Sequence, residues 1–265
     1  MTEVSDPGRP LDVATVDHVR VVTLCREASL NAISSAMAEE LASTFEEAAV
    51  DDDVWVVVLA ARGDRAFSVG ADLKERAGYS TEDHLRSRSV IKRLFQSVRH
   101  LPQPSIAAIF GFTLGGGLEL ALSCDLIVAA DDTELGLPET RAGLFPAGAG
   151  TWRLARAVGP ALTKELIFTA DRLDAESAVA AGLVTRLVPR SDLEAEAMGL
   201  ARRICRTSPA ANRAAKTLVE MALGHPESEL SQVEDRVWTE LLTSEDRAEG
   251  IRAFVEKREP NWRNC

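Results

Sequence analysis

Three consecutive glycines, Gly115, Gly116 and Gly117, constrain the fold of this chain more than any other feature. They follow an apolar run at residues 105–110 and precede the apolar helical pattern of residues 118–122. Glycine lets a backbone approach a ligand closely, and the first N–H groups of a helix have no partner inside that helix. With the positive end of the helix dipole, these groups can bind an oxygen that gains negative charge. The pattern predicts a buried strand, a tight turn and a helix whose start can hold an oxyanion.

Glu119 lies three residues after Gly116, so a helix would place both residues on one face. A carboxylate beside oxyanion donors can act as a general base on a carbonyl compound. The alternative is that Glu119 only complements the positive N-terminus of its own helix. The neighbouring glycines favour the catalytic interpretation.

Strand and helix patterns alternate over the first 150 residues of the chain. Apolar or β-branched runs predict strands at residues 19–24, 54–60, 105–110 and 125–130. Helical spacing predicts helices at residues 31–50, 81–101 and 116–123. The charged segment 74–89 is expected to be mobile at its start. The alternation predicts an α/β layered architecture.

After residue 150 the pattern becomes largely helical. Helices are predicted at residues 152–158, 161–169, 175–180, 192–207, 209–223, 228–242 and 244–257. We divide the chain into a flexible N-terminus (1–10), an α/β core (11–200) and a C-terminal helical region for oligomerisation (201–265). Packing of this last region on the chain's own body is an equally simple interpretation.

Composition excludes several classes of protein. The net charge of −11 argues against a protein that coats nucleic acid. The apolar region 106–130 contains Glu119 and Asp125, and charges are expensive inside a membrane. Neither a membrane span nor a signal peptide is expected, so we predict a cytoplasmic protein. The cysteines are scattered without metal-ligand spacing, which predicts reduced thiols and no metal site: Cys25, Cys124, Cys205 and Cys265.

Three segments in a fixed order carry the remaining chemical signal: residues 67–75 (FSVGADLKE), 115–119 (GGGLE) and 135–144 (LGLPETRAGL). Together they resemble the crotonase superfamily, the enoyl-CoA hydratase/isomerase family, from about His18 to the end of the chain. Within this family, the sequence looks most similar to the methylglutaconyl-CoA hydratase-like branch. The resemblance implies a crotonase-like β-β-α spiral, a helical C-terminal trimerisation region and a homotrimer or a hexamer built as a dimer of trimers. It also implies an acyl-CoA substrate and no permanently bound cofactor, because coenzyme A is part of the substrate.

The resemblance also implies roles for individual residues. Ala71 and Gly116 would supply the two N–H groups of an oxyanion hole. Glu119 would activate a water molecule and Glu139 would act as the acid. Without its surrounding motif, Glu139 would more often be a solvated loop acid than a catalytic residue. Asp72 is expected to shape its turn and not to take part in the chemistry.

Substrate and coenzyme A contacts follow from the same motifs. The first βα turn, residues 25–32, departs from the family pattern at Cys25 and Glu27 and has no basic residue at position 28. In this family a neighbouring subunit can contribute the residues that match Phe254 and Lys257. A plain amphipathic terminal helix is an equally good interpretation of that segment. The implied contacts are Ala28, Ser29, Leu30, Ala32, Val69, Asp72, Leu73, Gly115, Pro138, Phe254 and Lys257.

Glutamate at both positions of the pair favours an enoyl-CoA hydratase. The alternatives are an enoyl-CoA isomerase on the same scaffold and a non-catalytic acyl-CoA-binding protein. A carboxylate-bearing acyl chain would need a cation in the pocket, which Lys74, Arg76 or Arg141 could supply. Neither a membrane nor a nucleic acid is expected as a partner.

Overall fold

The structure is a computed structural model that describes residues 9–264. Residues 1–8 of the predicted N-terminal segment, and Cys265, lie outside the described residues. The strands are β1 Leu11–Val16, β2 Val19–Leu24, β3 Val56–Ala61, β4 Ala66–Ser68, β5 Ser105–Ile109, β6 Phe112–Leu114, β7 Leu126–Ala130, β8 Glu134–Gly136, β9 Leu173–Asp174 and β10 Arg186–Val188. The helices are α1 Ser35–Ala49, α2 Leu73–Arg76, α3 Thr81–Arg99, α4 Gly116–Ala121, α5 Gly150–Val158, α6 Pro160–Thr169, α7 Ala175–Ala180, α8 Leu193–Cys205, α9 Pro209–Ala222, α10 Glu227–Leu242 and α11 Glu245–Glu256. Short 3-10 helices occupy Glu27–Ser29, Pro138–Ala142 and Arg190–Asp192.

Two sheets form the α/β body. The larger sheet has the order β1-β2-β3-β5-β7-β10 and the smaller has the order β4-β6-β8-β9. Strands β2, β3, β5, β7 and β10 run parallel, and β1 joins them through an antiparallel hairpin with β2. β5 is buried at every position, as expected of an apolar strand covered on both faces.

Successive strands alternate between the two sheets, which produces a spiral. The strand pairs β3–β4, β5–β6 and β7–β8 each place the first strand in the larger sheet and the second in the smaller one. Helical structure follows each pair: α2 and α3, α4, and the 3-10 helix Pro138–Ala142 with α5. The predicted β-β-α spiral is confirmed.

The segment predicted to be mobile forms α2 instead. The Asp72 carboxylate accepts a hydrogen bond from the Glu75 N–H at 3.2 Å and so caps this helix. The same carboxylate pairs with Arg26 at 3.0 Å. Burial opposes ionisation of Asp72, but these hydrogen bonds and the Arg26 charge outweigh it and lower the pKa of the carboxyl.

The boundary predicted at residue 200 falls inside α8. Leu193, Ala197, Leu200 and Ala201 of this helix are buried, and α8 packs against β3, β5 and β7. α8 is therefore continuous with the core on both sides of the predicted boundary. Beyond it, Lys216 of α9 donates to the Asp125 carboxylate at 2.7 Å and ties the C-terminal helices to the body. In the described part of the chain, no helix is both long enough and apolar enough to cross a membrane.

Candidate active site

Three neighbouring parallel strands deliver the three sequence motifs to one edge of the smaller sheet. β4 pairs with β6 and β6 pairs with β8, all in parallel. The chain leaves β4 toward Ala71, leaves β6 toward Gly115 and α4, and leaves β8 toward Glu139. Because the carboxyl ends of parallel strands lie at the same edge, segments far apart in sequence meet there.

Ala71 and Gly116 present two adjacent backbone donors. A Cβ atom added at Gly116 would lie 3.6 Å from the Ala71 nitrogen, and one added at Gly70 would lie 2.6 Å from the Gly116 nitrogen. Gly116 is the first residue of α4, so its N–H has no acceptor within that helix. Among residues 9–264, neither N–H donates to a protein acceptor. Two neighbouring backbone donors without a protein acceptor can bind an oxygen that gains negative charge.

Glycine is required where these segments touch. Gly70 has φ +84° and Gly115 has φ +52°. Residues with a side chain rarely adopt such positive φ angles. A Cβ atom at Gly117 would come within 2.3 Å of the Ser68 carbonyl oxygen. The glycines therefore permit β4 and α4 to approach each other closely enough to align the two donors.

Glu119 is almost fully buried, with 4% of its surface exposed. Its Oε1 accepts hydrogen bonds from the N–H groups of Gly148 at 2.6 Å and Gly150 at 2.8 Å. Burial raises the pKa of Glu119, while these two hydrogen bonds and the charges of Arg88 and Arg99 act in the opposite direction. The carboxylate thus bonds to a separate loop and not to the N-terminus of its own helix.

Glu139 lies in the 3-10 helix Pro138–Ala142, close to the start of α4. A Cβ atom added at Gly115 would be 3.1 Å from its Oε1, and its buried Oε2 has no hydrogen-bond partner among the described residues. Burial raises the pKa of Glu139 to about 7; its own backbone N–H opposes this rise and the charge of Glu119 adds to it. These properties do not fit a solvated loop acid.

Both carboxyl groups and both oxyanion donors line one cavity of about 340 Å³. Its apolar wall is formed by residues from several elements: Ile33, Val69, Leu73, Ile91, Phe95, Leu144 and Phe145. A mostly apolar pocket with a few convergent polar groups is typical of a small-molecule site. A perturbed carboxyl pair in such a pocket is typical of acid–base catalysis.

Some of the predicted substrate contacts line this cavity and others do not. Val69, Leu73, Gly115 and Pro138 line it, whereas Asp72 caps α2. The first βα turn contributes none of its predicted contacts to the cavity: Ala28 and Ser29 are exposed, Leu30 is half-buried with φ +52°, and Ala32 is buried. Phe254 and Lys257 also lie outside it, and Phe254 is 85% exposed.

Two groups of site residues were missed by the sequence analysis. No role was predicted for the backbone of Gly148 and Gly150, yet their N–H groups hold the Glu119 carboxylate. One face of α3 also lines the cavity, through His84, Ser87, Arg88, Ile91 and Phe95. Their spacing of three, four, seven and eleven residues from the first is a helical stripe that the sequence does carry.

Only one of the cations predicted to bind an acyl carboxylate lines the cavity. Of the three predicted cations, Arg76 lines the cavity and Lys74 and Arg141 do not. Within residues 9–264, no group of three or more His, Cys, Asp or Glu side chains could hold a metal ion.

Comparison with known proteins agrees with this geometry. The family model described as enoyl-CoA hydratase/isomerase matches residues 15–264. A protein of Bacillus subtilis (strain 168) named as an enoyl-CoA hydratase/isomerase is 39% identical over 242 residues, which cover 91% of this chain and 93% of the relative. The mitochondrial methylglutaconyl-CoA hydratase of Mus musculus is 35% identical over 272 residues, covering 97% and 87%.

Solved structures give the same result. The crystal structure of an enoyl-CoA hydratase from Bacillus anthracis superposes with a TM-score of 0.94 at 38% identity, covering 97% of this chain and 100% of that one. The sequence likeness extends over nearly the whole chain and includes the three strands that build the site. The chain belongs to the enoyl-CoA hydratase/isomerase family.

Proposed function

We propose that this protein is an enoyl-CoA hydratase, which adds water across the double bond of a 2-enoyl-CoA thioester and yields a 3-hydroxyacyl-CoA. The observation that carries the proposal is the cavity in which Glu119 and Glu139 lie beside the unpaired N–H groups of Ala71 and Gly116. Hydration needs a base for water, an acid for the α-carbon and donors for the thioester oxygen. The cavity brings together groups of all three kinds.

In the proposed mechanism, the thioester oxygen accepts hydrogen bonds from Ala71 and Gly116. Negative charge grows on this oxygen as water attacks C3, so fixed donors stabilise the transition state, typically by several kcal/mol. Ionised Glu119 takes a proton from the attacking water, and protonated Glu139 gives one to C2. A new C–O bond and a new C–H bond replace the C=C π bond.

The environments of the two carboxyl groups support this division of roles. Burial raises the pKa of Glu119, but the two N–H donors at its Oε1 oppose this rise and stabilise the ionised form that a base needs. A pKa of about 7 leaves Glu139 partly protonated at neutral pH, which suits an acid. After hydration Glu119 carries the proton taken from water and Glu139 lacks one, so proton exchange with solvent returns both residues to their starting states before the next turnover.

Three further predictions concern the cofactor, the assembly and the location of the protein. The proposed reaction uses acid, base and backbone donors of the chain, so we propose that it needs neither a metal nor a bound cofactor beyond coenzyme A in the substrate. Exposed apolar side chains on α9, α10 and α11 support a homotrimer or hexamer: Val219, Trp238, Ile251 and Phe254. We propose a cytoplasmic location.

A more specific substrate class is supported by cations at the cavity. Arg76, His84 and Arg88 line it, and among the described residues neither arginine forms an ion pair or a hydrogen bond with a carboxylate. The nearby Glu75 is already occupied, because its carboxylate accepts from the Ser35 N–H at 3.0 Å. We propose that a second carboxylate on the acyl chain binds here.

Turnover of crotonyl-CoA, followed by loss of enoyl-thioester absorbance, tests the main proposal. Glu119→Gln and Glu139→Gln should each abolish most activity, while Glu165→Gln, at an exposed site on α6, should not change it. Product analysis separates the alternatives: a 3-hydroxyacyl thioester supports the hydratase, a displaced double bond the isomerase, and no turnover of any enoyl-CoA a binding protein.

The substrate class needs its own comparison. A 2-enoyl thioester with a terminal carboxylate should be preferred over crotonyl-CoA in kcat/KM, and Arg76→Met should remove that preference while crotonyl-CoA is still hydrated. Equal use of both thioesters by the unmodified protein would refute the carboxylate proposal and leave the hydratase proposal intact.

A further inference from the structure

Arg99, near the end of α3, contacts the loop that holds the catalytic base. Its Nη1 donates to the Gly148 carbonyl oxygen at 3.4 Å, and its guanidinium lies 5.7 Å from the centre of the Trp152 ring. Trp152 belongs to the first turn of α5, which begins at Gly150. Among the described residues Arg99 forms no close ion pair, and the carboxylate whose charge acts on it is Glu119.

The contacted loop has little freedom to adjust. A Cβ atom at Gly148 would come within 2.2 Å of the Phe95 ring, and one at Gly150 would come within 2.9 Å of Glu119. Between them, Ala149 has φ +90°, which is unfavourable for a residue with a side chain. Such a conformation persists only where the surroundings hold it. Glu119 holds this loop from the cavity side, and Arg99 holds it through the Gly148 carbonyl.

We propose that Arg99 is a positioning residue for hydration: it fixes the Gly148–Gly150 loop against Glu119 and places a positive charge near this carboxylate. The inference rests on the proposed function, because it assigns Arg99 a role through the base of that reaction. Arg99 itself does not line the cavity and so does not act on the substrate directly.

The charges that face Glu119 come from two elements. α3 contributes Arg88 and Arg99, and the 3-10 helix Pro138–Ala142 contributes Glu139. The loop at residues 143–149 has no charged side chain. On α5, Arg153 acts on Arg99 and, together with burial, lowers its pKa. Loss of the Arg99 charge therefore leaves Arg88 as the other cation whose charge favours ionised Glu119.

The test is the pH profile of kcat/KM for hydration of crotonyl-CoA. Below the pKa of Glu119 the base becomes protonated and activity falls, which gives the acid limb of the profile. Arg99→Met should move this limb upward by about 0.5 to 1 in pH and lower kcat about tenfold, since a nearby positive charge and a loop contact are both lost. Arg99→Lys, which retains the charge, should keep the limb in its original place.

Two further variants make the result specific. Arg156→Met is the matched control: Arg156 also lies over the Trp152 ring, at 5.0 Å, but among the described residues it forms no hydrogen bond with the loop, so the profile should not change. Arg99→Gln is neutral yet still offers an N–H donor, and it replaces Arg99→Met if that variant does not fold; its acid limb should also move upward.

An unshifted acid limb in a folded neutral variant would overturn the inference while leaving the hydratase proposal intact. An equal shift in Arg99→Lys would also overturn it, because charge would then not be the cause. Absence of turnover by the unmodified protein on every enoyl-CoA would remove the proposed function, and the inference with it.

Discussion

Replacing Glu139 by glutamine should make the protein more stable at alkaline pH while removing its activity. The folded chain raises the pKa of this carboxyl from 4.5 to about 7, mainly through burial. The folded state thus holds the proton more tightly than the unfolded state does. The contribution of the neutral Glu139 carboxyl to the free energy of unfolding is fully present below pH 4.5 and is lost as the pH rises through about 7. Glutamine stays neutral at every pH.

The magnitude follows from the same values. A pKa of about 7 against 4.5 corresponds at most to about 3 kcal/mol in the free energy of unfolding when the carboxyl is ionised. Glu139 is only half-buried, so solvent screening reduces this figure. We expect the stability advantage of Glu139→Gln over the unmodified protein to grow by about 1–2 kcal/mol between about pH 5 and about pH 8.

Urea unfolding at these two pH values, at one protein concentration, measures the difference. Glu165→Gln provides the control, because the same substitution at an exposed position should give a difference that does not depend on pH. A constant difference between Glu139→Gln and the unmodified protein would show that burial does not disfavour the ionised carboxyl. Lower stability of the variant at the higher pH would refute the reasoning outright.

Three other results are expected. Hydration and dehydration both require one proton on the carboxyl pair, so kcat/KM in both directions should fall about tenfold per pH unit above the Glu139 pKa of about 7; a profile that stays flat to about pH 9 would contradict this. Gly148→Ala should lower kcat at least about tenfold and destabilise the protein by about 1–3 kcal/mol, since the new methyl group would overlap the Phe95 ring; wild-type kinetics would refute it. Asn31→Ala should cost about 2–3 kcal/mol in urea unfolding, because the buried Asn31 amide donates to two carbonyl oxygens, those of Arg62 and Ala66; a change below about 0.5 kcal/mol would be inconsistent with that network.

Long elements were predictable from the sequence and short ones were not. β2 occupies the predicted residues 19–24, and α3 begins at the predicted Thr81. β1, β4, β6, β8, β9 and β10 were not predicted as strands. Four of these, β4, β6, β8 and β10, contain only three residues, too few for a period to show, and β9 contains two. β1 exposes most of its side chains, so its sequence lacks the apolar pattern of a buried strand.

At the site, residues inside sequence motifs were predictable and residues that act through long-range main-chain contacts were not. Glu119 and Glu139 could be proposed because motifs surround them, and both line the cavity. The role of Gly148 was not visible, because it consists of a backbone N–H that donates to a residue 29 positions away. Local pattern does not reveal a long-range contact made by the main chain. Arg99 likewise reaches the site through a carbonyl group and carries no motif of its own.

The proposed oxyanion donors, at Ala71 and Gly116, belong to the main chain, whereas the proposed proton-transfer groups are side chains. A point mutation can delete a carboxylate, but it cannot delete a peptide N–H unless it introduces proline. Polarisation of the thioester therefore depends on the path of the backbone, whereas a few replaceable side chains determine how the polarised substrate reacts. A scaffold of this kind can change the reaction it catalyses during evolution without first losing its ability to stabilise an enolate.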